Sequence, residues 1–79
     1  MISVCQIKAA RALLGWSASQ LSEYSGIGVA TIRRYELQSG IPSAQAKPLK
    51  SLEDAFKNAG IEFTGDPLVN PGVTLHLKK

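Results

Sequence analysis

The chain has little of what most catalytic, redox or metal-dependent proteins need. Its 79 residues include a single cysteine, Cys5, so no internal disulfide can form. Its only histidine, His76, leaves it without the ligands of the usual Cys/His zinc framework. It has no phosphate-binding loop, and of its six acidic residues only Glu53 and Asp54 are adjacent, where helix geometry makes them diverge. We therefore expect no enzyme activity, no cofactor and no metal ion.

Long apolar segments are also missing. No apolar run approaches the ~20 residues that a membrane span requires, and no basic region followed by an apolar stretch marks a signal peptide. At 44% hydrophobic and 19% charged residues, the composition is that of one small globular domain. We expect a cytoplasmic protein that does not bind membranes, and the net charge of +3 suits a polyanionic partner.

Helix signals are frequent in the first half of the chain. Two segments begin with an S-x-x-Q capping box, formed by Ser3 with Gln6 and by Ser17 with Gln20, and Gly28 is the expected cap of a third. Each of the first two segments is followed by a glycine suited to the left-handed end of a helix, Gly15 and Gly26. These signals predict helices over residues 4–14, 18–25 and 29–38.

The second half predicts one more helix and a hairpin. After a loop over residues 39–47, Pro48 suits the first position of a helix that ends at residue 59. Apolar and polar residues then alternate over 61–63 and 73–77, which predicts a β-hairpin. Its apolar face would contain Ile61, Phe63, Val73, Leu75 and Leu77. We expect a mainly α single domain, with a helical part over 1–60 and a hairpin extension over 61–79 that packs on the helices or adds strands from a second subunit.

The second and third helices have the layout of a helix-turn-helix, which places its second helix in the DNA major groove. If Ile32 faces the core, a rotation of about 100° per residue makes Arg34 and Ala30 point nearly opposite. The guanidinium of Arg34 can then reach guanine O6 and N7. The expected base-reading residues are Val29, Ala30 and Arg34.

Phosphate contacts are expected around that face. The exposed N–H groups at the start of the second helix form a natural anion site, and flanking polar or basic residues would fix the position on the backbone. The expected phosphate-binding residues are Ser17, Ala18, Ser19, Gln20, Thr31, Arg33, Ser39, Lys47 and Lys50. The competing interpretation is that arginines on an exposed helix face are only solvated.

Several stretches resemble the small stand-alone bacterial or phage members of the Cro/CI-type (XRE) helix-turn-helix family. They are residues 11–17, Leu21, residues 26–27 and residues 30–36. The resemblance implies a lambda-repressor-like bundle of four to five helices that binds DNA as a homodimer. It also implies a partly buried salt bridge between Arg11 and Glu36.

Together these features predict a sequence-specific regulator of transcription that binds double-stranded DNA, with repression as the expected role. The homodimer would form through the apolar faces of the fourth helix and the hairpin. The alternative is a protein-interaction module, such as an antitoxin or adaptor, for which Val29, Ala30 and Leu37 would supply an apolar patch. Either would be cytoplasmic, and the regulator would be associated with the nucleoid when bound.

Four single residues have simpler expectations. Trp16 and Tyr35 are expected in the core, because Trp16 precedes a helix cap and has an apolar partner one turn on. Cys5 is expected to be a buried or half-buried thiol, since no acid–base partner is near it in sequence. His76 alternates away from the apolar strand face and is expected to be exposed.

Overall fold

A computed structural model describes residues 2–42 and 46–77, so the last two residues of the predicted C-terminal extension lie outside it. In this part of the chain, four helices are followed by a two-stranded antiparallel hairpin, which confirms the predicted mainly α fold. The elements are α1 (Val4–Leu14), α2 (Ala18–Ser25), α3 (Val29–Glu36), α4 (Ala46–Asn58), β1 (Ile61–Thr64) and β2 (Gly72–Leu75).

The first two helices begin and end as predicted. Both capping boxes are complete, because each serine accepts the N–H of the glutamine and each glutamine side chain accepts the N–H of the serine. Gly15 and Gly26 follow the helices with φ of 68° and 76°, a conformation that side chains with a Cβ rarely adopt. The α3 helix begins after Gly28 with no side-chain cap. It ends at Glu36, two residues before the predicted end.

The start of α4 differs from the prediction. The helix begins at Ala46, so Pro48 is its third residue and not its first. Proline is tolerated there because the first four N–H groups of a helix have no intrahelical acceptor. The helix ends at Asn58, and Gly60 turns the chain into β1 with φ of 101°. A Cβ on Gly60 would lie 2.7 Å from the carbonyl oxygen of His76, so only glycine fits.

The hairpin pairs Ile61 with Leu75 and Phe63 with Val73, which places these four side chains on one face against the helices. The prediction that Leu77 shares this face is wrong, because Leu77 lies beyond β2 and is 81% exposed. If the β1–β2 register were extended, residue 59 would lie opposite Leu77. Residue 59 belongs to the turn after α4, so β1 does not extend alongside Leu77.

The core lies between the helices and the hairpin, and its largest fully buried apolar side chains are Phe56, Ile2, Ile7, Leu21, Ile32 and Leu52. The apolar face of α4 is used inside this core, since Leu49, Leu52, Ala55 and Phe56 are all buried. The expected dimer surface on that face of α4 is therefore not available.

One polar side chain joins α1 to the hairpin from within the core. Gln6 is 2% exposed, and its Oε1 accepts the N–H of Ser3 at 3.0 Å. Its Nε2 donates to the carbonyls of Thr64 and Gly72, at 3.3 and 3.1 Å. The prediction of a buried or half-buried Cys5 is wrong, because Cys5 is exposed. Its position is rotated by about 200° from Ile7, on the outer side of the helix.

Candidate nucleic-acid interface

The α3 helix has one buried face and one open face. Ile32 is fully buried and Tyr35 is 3% exposed, so these two side chains fix the rotation of the helix against the core. Arg33 and Arg34 follow Ile32 and are both exposed. This is the rotation on which the predicted base-reading face depends, and the burial of Tyr35 confirms its predicted place in the core.

The two arginines form no ion pair within residues 2–42 and 46–77. The Cζ atom of Arg34 lies 6.0 Å from the ring centroid of Tyr35, at the outer limit of a cation–π contact. That contact is weak at an exposed position, and it leaves the N–H groups of the guanidinium available to a ligand. Arg33 lies about 100° around the helix axis from Arg34, toward the flank of the open face. The arrangement can place two positive charges on an anionic partner.

The other α3 residues proposed to meet DNA differ in exposure. Ala30 is exposed and carries only a methyl group, so it allows close approach of a partner to the helix backbone. Val29 and Thr31 are half-buried, and each presents only part of its surface. The open face therefore carries one long polar side chain, Arg34, beside small or partly covered ones.

The start of α2 offers fewer free donors than the sequence predicts. The N–H of Gln20 donates to Ser17 Oγ at 3.1 Å, and Gln20 Oε1 accepts the N–H of Ser17 at 2.8 Å. The expectation that the Gln20 N–H is open to a phosphate is therefore wrong, because the capping box already uses it. The N–H groups of Ala18 and Ser19 and the exposed hydroxyl of Ser19 remain as donors.

The three remaining predicted phosphate contacts lie after α3. Ser39 is exposed in the connection, and Lys47 and Lys50 are exposed in the first half of α4. The ammonium of Lys50 lies 3.2 Å from a carboxylate oxygen of Asp54 one turn later. Its charge is therefore partly neutralised before any ligand arrives. The carbonyl of Gly40 accepts the N–H of Val4 at 2.8 Å, which ties the connection to the start of α1.

A two-pronged salt bridge holds α3 against α1, as the resemblance implies. Arg11 Nε and Nη2 donate to the two carboxylate oxygens of Glu36, at 2.8 and 2.7 Å. Arg11 Nη1 also donates to the carbonyl of Trp16 at 3.1 Å, which adds the α1–α2 turn to the network. The side chains are 22% and 12% exposed. The pairing neutralises Glu36, so its charge does not offset that of the adjacent arginines on α3.

An aromatic stack that the sequence analysis did not predict fixes α2 against α4. The ring of the half-buried Trp16 stacks on Tyr24 with centroids 4.6 Å apart and lies 5.9 Å from Phe56. Trp16 packs on the edge of the core as expected, but its contact with Tyr24 joins residues eight positions apart. No helical or strand spacing marks that pair in the sequence.

The described part of the chain offers neither a metal cluster nor a membrane-spanning helix. Among residues 2–42 and 46–77, no group of three or more histidine, cysteine or acidic residues could hold a metal ion. The same part of the chain contains no helix long and apolar enough to cross a bilayer. His76 is exposed as predicted, and its Nε2 lies 2.7 Å from Glu62 Oε1 across the hairpin.

Comparison with known proteins identifies a family for most of the chain. A family model described as Helix-turn-helix matches residues 7–57, which is more than half of the chain. The matched range begins in α1 and ends in the last turn of α4, so it contains all of α2 and α3. No curated protein matches the chain.

Proposed function

The chain belongs to the Cro/C1-type helix-turn-helix family, and from that premise we propose that it represses transcription by binding specific duplex DNA as a homodimer. Family membership itself implies DNA binding. It is also consistent with a regulator that has no enzyme activity. The repressor role, the reading residues and the dimer are the parts that belong to this proposal.

The observation that carries the proposal is the exposure of Arg33 and Arg34 on α3 while Ile32 and Tyr35 are buried. Arg34 would enter the major groove and donate to guanine O6 and N7, and the methyl group of Ala30 would pack against a thymine methyl. Val29 would add an apolar contact through its exposed part. A bidentate arginine–guanine contact gives about 1–3 kcal/mol of discrimination.

Phosphate contacts would set the position of α3 in the groove. Arg33 and Thr31 flank the reading face. Ser17 caps α2, and Ala18 and Ser19 begin it with N–H groups that have no intrahelical acceptor. Ser39, Lys47 and Lys50 would hold the backbone beyond α3. In this scheme Gln20 acts through the geometry of the cap and not through its own N–H. Such contacts supply affinity and register without reading sequence.

The first test selects bound sequences from random duplex DNA and then measures affinity at several salt concentrations. We expect one enriched site with two related halves and an affinity that falls steeply with salt, because bound phosphates release counterions. Enrichment of no sequence, together with affinity independent of salt, would overturn the proposal.

Two arginine variants separate reading from positioning. Arg34→Ala should relax the preference at one base pair of each half-site and cost about 1–3 kcal/mol of specific binding. Arg33→Ala should weaken all sequences about equally and lower the slope of log affinity against log salt by about 1. Lys57→Ala removes the same charge from the exposed last turn of α4 and serves as the matched control. Equal effects of all three would mean that only net charge matters.

One observation favours a protein partner as a second candidate. Leu37 directly follows α3 and is 88% exposed, next to the open face that carries Ala30. An antitoxin or adaptor could use this apolar surface to hold another protein. Leu37→Ser should then weaken capture of that protein and leave DNA affinity unchanged, whereas a pure regulator would show no such partner.

A further inference from the structure

The start of α3 carries no polar side chain. Residues 27–30 read Ile-Gly-Val-Ala, and Gly28 precedes the helix without a side-chain cap. The hydroxyl of Ser25, just before this stretch, accepts the N–H of Ile27 at 3.2 Å and is therefore held against the turn. Thr31, just after it, is half-buried. A ligand that reaches the first turn of α3 therefore meets backbone and apolar side-chain atoms.

Ala30 is the residue of this stretch whose side chain points outward. It is exposed, whereas Ile27 and Val29 are half-buried. It lies about 160° around the helix axis from Ile32, which is fully buried. Arg34 follows one turn later, about 40° from Ala30 around the axis and about 6 Å along it. The outward face of α3 thus presents a methyl group and then a guanidinium.

The DNA major groove offers one feature that an alanine side chain can recognise. Each base pair presents hydrogen-bond donors and acceptors there, with which a methyl group cannot bond, and thymine adds an apolar C5-methyl group. The N-terminal residues of a recognition helix are the ones that contact base edges. We therefore expect Ala30 to pack on a C5-methyl group, a contact that does not depend on the O4 oxygen of thymine.

We propose that the start of α3 recognises the C5-methyl group of a pyrimidine and not thymine itself, so that 5-methylcytosine can replace thymine in the bound site. The two bases carry the methyl group at the same ring position. In the major groove they differ at C4, which carries O4 in thymine and an amino group in cytosine. No side chain of residues 27–30 can distinguish these groups by a hydrogen bond. The inference rests on the proposed function and names a base modification that controls it.

The contact of Arg34 sets where the methyl group lies in the site. Successive base pairs are about 3.4 Å apart, so the 6 Å between Ala30 and Arg34 corresponds to about two base-pair steps when α3 lies along the groove. The guanine bound by Arg34 and the methylated pyrimidine are then about two base pairs apart. Methylation of a cytosine at that one position raises the affinity, and the methylation state of the DNA thereby regulates binding.

The first test selects bound duplexes from three random pools: ordinary DNA, DNA with uracil in place of thymine, and DNA with 5-methylcytosine in place of cytosine. In ordinary DNA we expect thymine about two base pairs from the selected guanine. At that position the third pool should yield thymine and methylated cytosine alike, and the uracil pool should show no preference for uracil over cytosine. Exclusion of methylated cytosine, or an equal preference for uracil, would overturn the proposal.

The second test measures the affinity of the selected duplex at fixed salt concentration. Replacing thymine by uracil in one half-site should weaken binding about 4-fold, the factor expected for burial of one methyl group. Ala30→Gly removes the methyl group of the protein, so the two duplexes should then bind within about 1.5-fold of each other.

A matched variant controls for the glycine itself. Ala9→Gly makes the same change at an exposed position of α1 beside the hairpin, and it should keep the 4-fold ratio between the thymine and uracil duplexes. The ratio cancels any loss of protein stability, because both duplexes are measured with the same protein. An unchanged ratio in Ala30→Gly would show that Ala30 does not contact the C5-methyl group.

The outcomes separate this inference from the proposed function. A selected site that binds equally well with thymine and with uracil overturns methyl recognition alone. Enrichment of no sequence in any pool, with affinity independent of salt, overturns the proposed function and this inference with it. Arg34→Ala should lose the guanine preference and keep the preference for the methyl group, because the two contacts use different side chains.

Discussion

The two capping boxes of this protein have the same sequence pattern but different surroundings. Ser3 and Gln6 begin α1 inside the core, and the amide of Gln6 also binds two carbonyls of the hairpin. Ser17 and Gln20 begin α2 on the surface, and among residues 2–42 and 46–77 their side chains bind only each other's backbone. The local pattern therefore fixes where both helices start, whereas burial determines whether the box also binds other parts of the protein.

Because of this difference, the buried box holds parts of the fold together, whereas the exposed box forms a surface that a ligand can reach. The buried box connects the first helix to both strands of the hairpin, at carbonyls that lie 58 and 66 residues from Gln6 in sequence. The exposed box leaves the N–H groups of Ala18 and Ser19 without an intrahelical acceptor at the positive end of the α2 dipole. If this comparison is right, equivalent substitutions in the two boxes will have unequal effects on stability and on DNA affinity.

The largest difference is expected for the two glutamines. Gln6→Ala should lower the free energy of unfolding by about 3 kcal/mol, because it leaves the buried N–H of Ser3 without its acceptor and removes a second donor from two hairpin carbonyls. Gln20→Ala should cost only about 0.5 kcal/mol, since water replaces the lost bond. Urea unfolding at constant pH measures both. Equal losses would show that the hairpin carbonyls gain nothing from Gln6.

An intermediate case should fall between them. Glu36→Ala removes the partner of Arg11 in a network that is neither fully buried nor open, so we expect a loss of about 2 kcal/mol, between the ranges for exposed and buried pairs. A double-mutant cycle with Arg11→Ala isolates the pair itself. A coupling free energy near zero would mean that the interaction between Arg11 and Glu36 does not stabilise the fold.

The smallest difference between the two boxes is expected for the serines, and it concerns DNA affinity. Ser17→Ala should cost about 1 kcal/mol of stability and also reduce DNA affinity about 3- to 10-fold, because the start of α2 is no longer held in place for the phosphate. Ser3→Ala should leave the affinity of the folded protein unchanged. Measuring affinity by fluorescence anisotropy, well below the unfolding temperature, separates the effect on DNA binding from the effect on stability. Equal losses of DNA affinity for Ser17→Ala and Ser3→Ala would indicate that the start of α2 does not bind a phosphate.

Local signals predicted the elements better than their surroundings. The capping boxes and Gly15 and Gly26 gave the bounds of α1 and α2 without error, since these features act within one turn. Helix ends without a capping box or a following glycine were less accurate. Pro48 predicted a helix start two residues too late, because a proline is tolerated anywhere in the first turn.

Exposure was harder to predict than helix position. Cys5 was expected to be buried or half-buried and Leu77 to lie on the apolar face of the hairpin, but both are exposed. Their exposure depends on where α1 meets β2 and where β1 ends. The open face of α3 was predictable, because one buried residue, Ile32, sets the rotation of the whole helix. The availability of the Gln20 N–H was predicted incorrectly, although the capping box that uses this N–H is visible in the sequence.

The aromatic stack gives the protein a built-in optical reporter. Trp16 is the only tryptophan in the chain, and it lies between Tyr24 of α2 and Phe56 of α4. Any movement of α2 away from α4 must change the environment of this one indole, so its fluorescence and near-ultraviolet dichroism report on that single joint. Duplex binding that shifts α2 can therefore be followed in real time without a label.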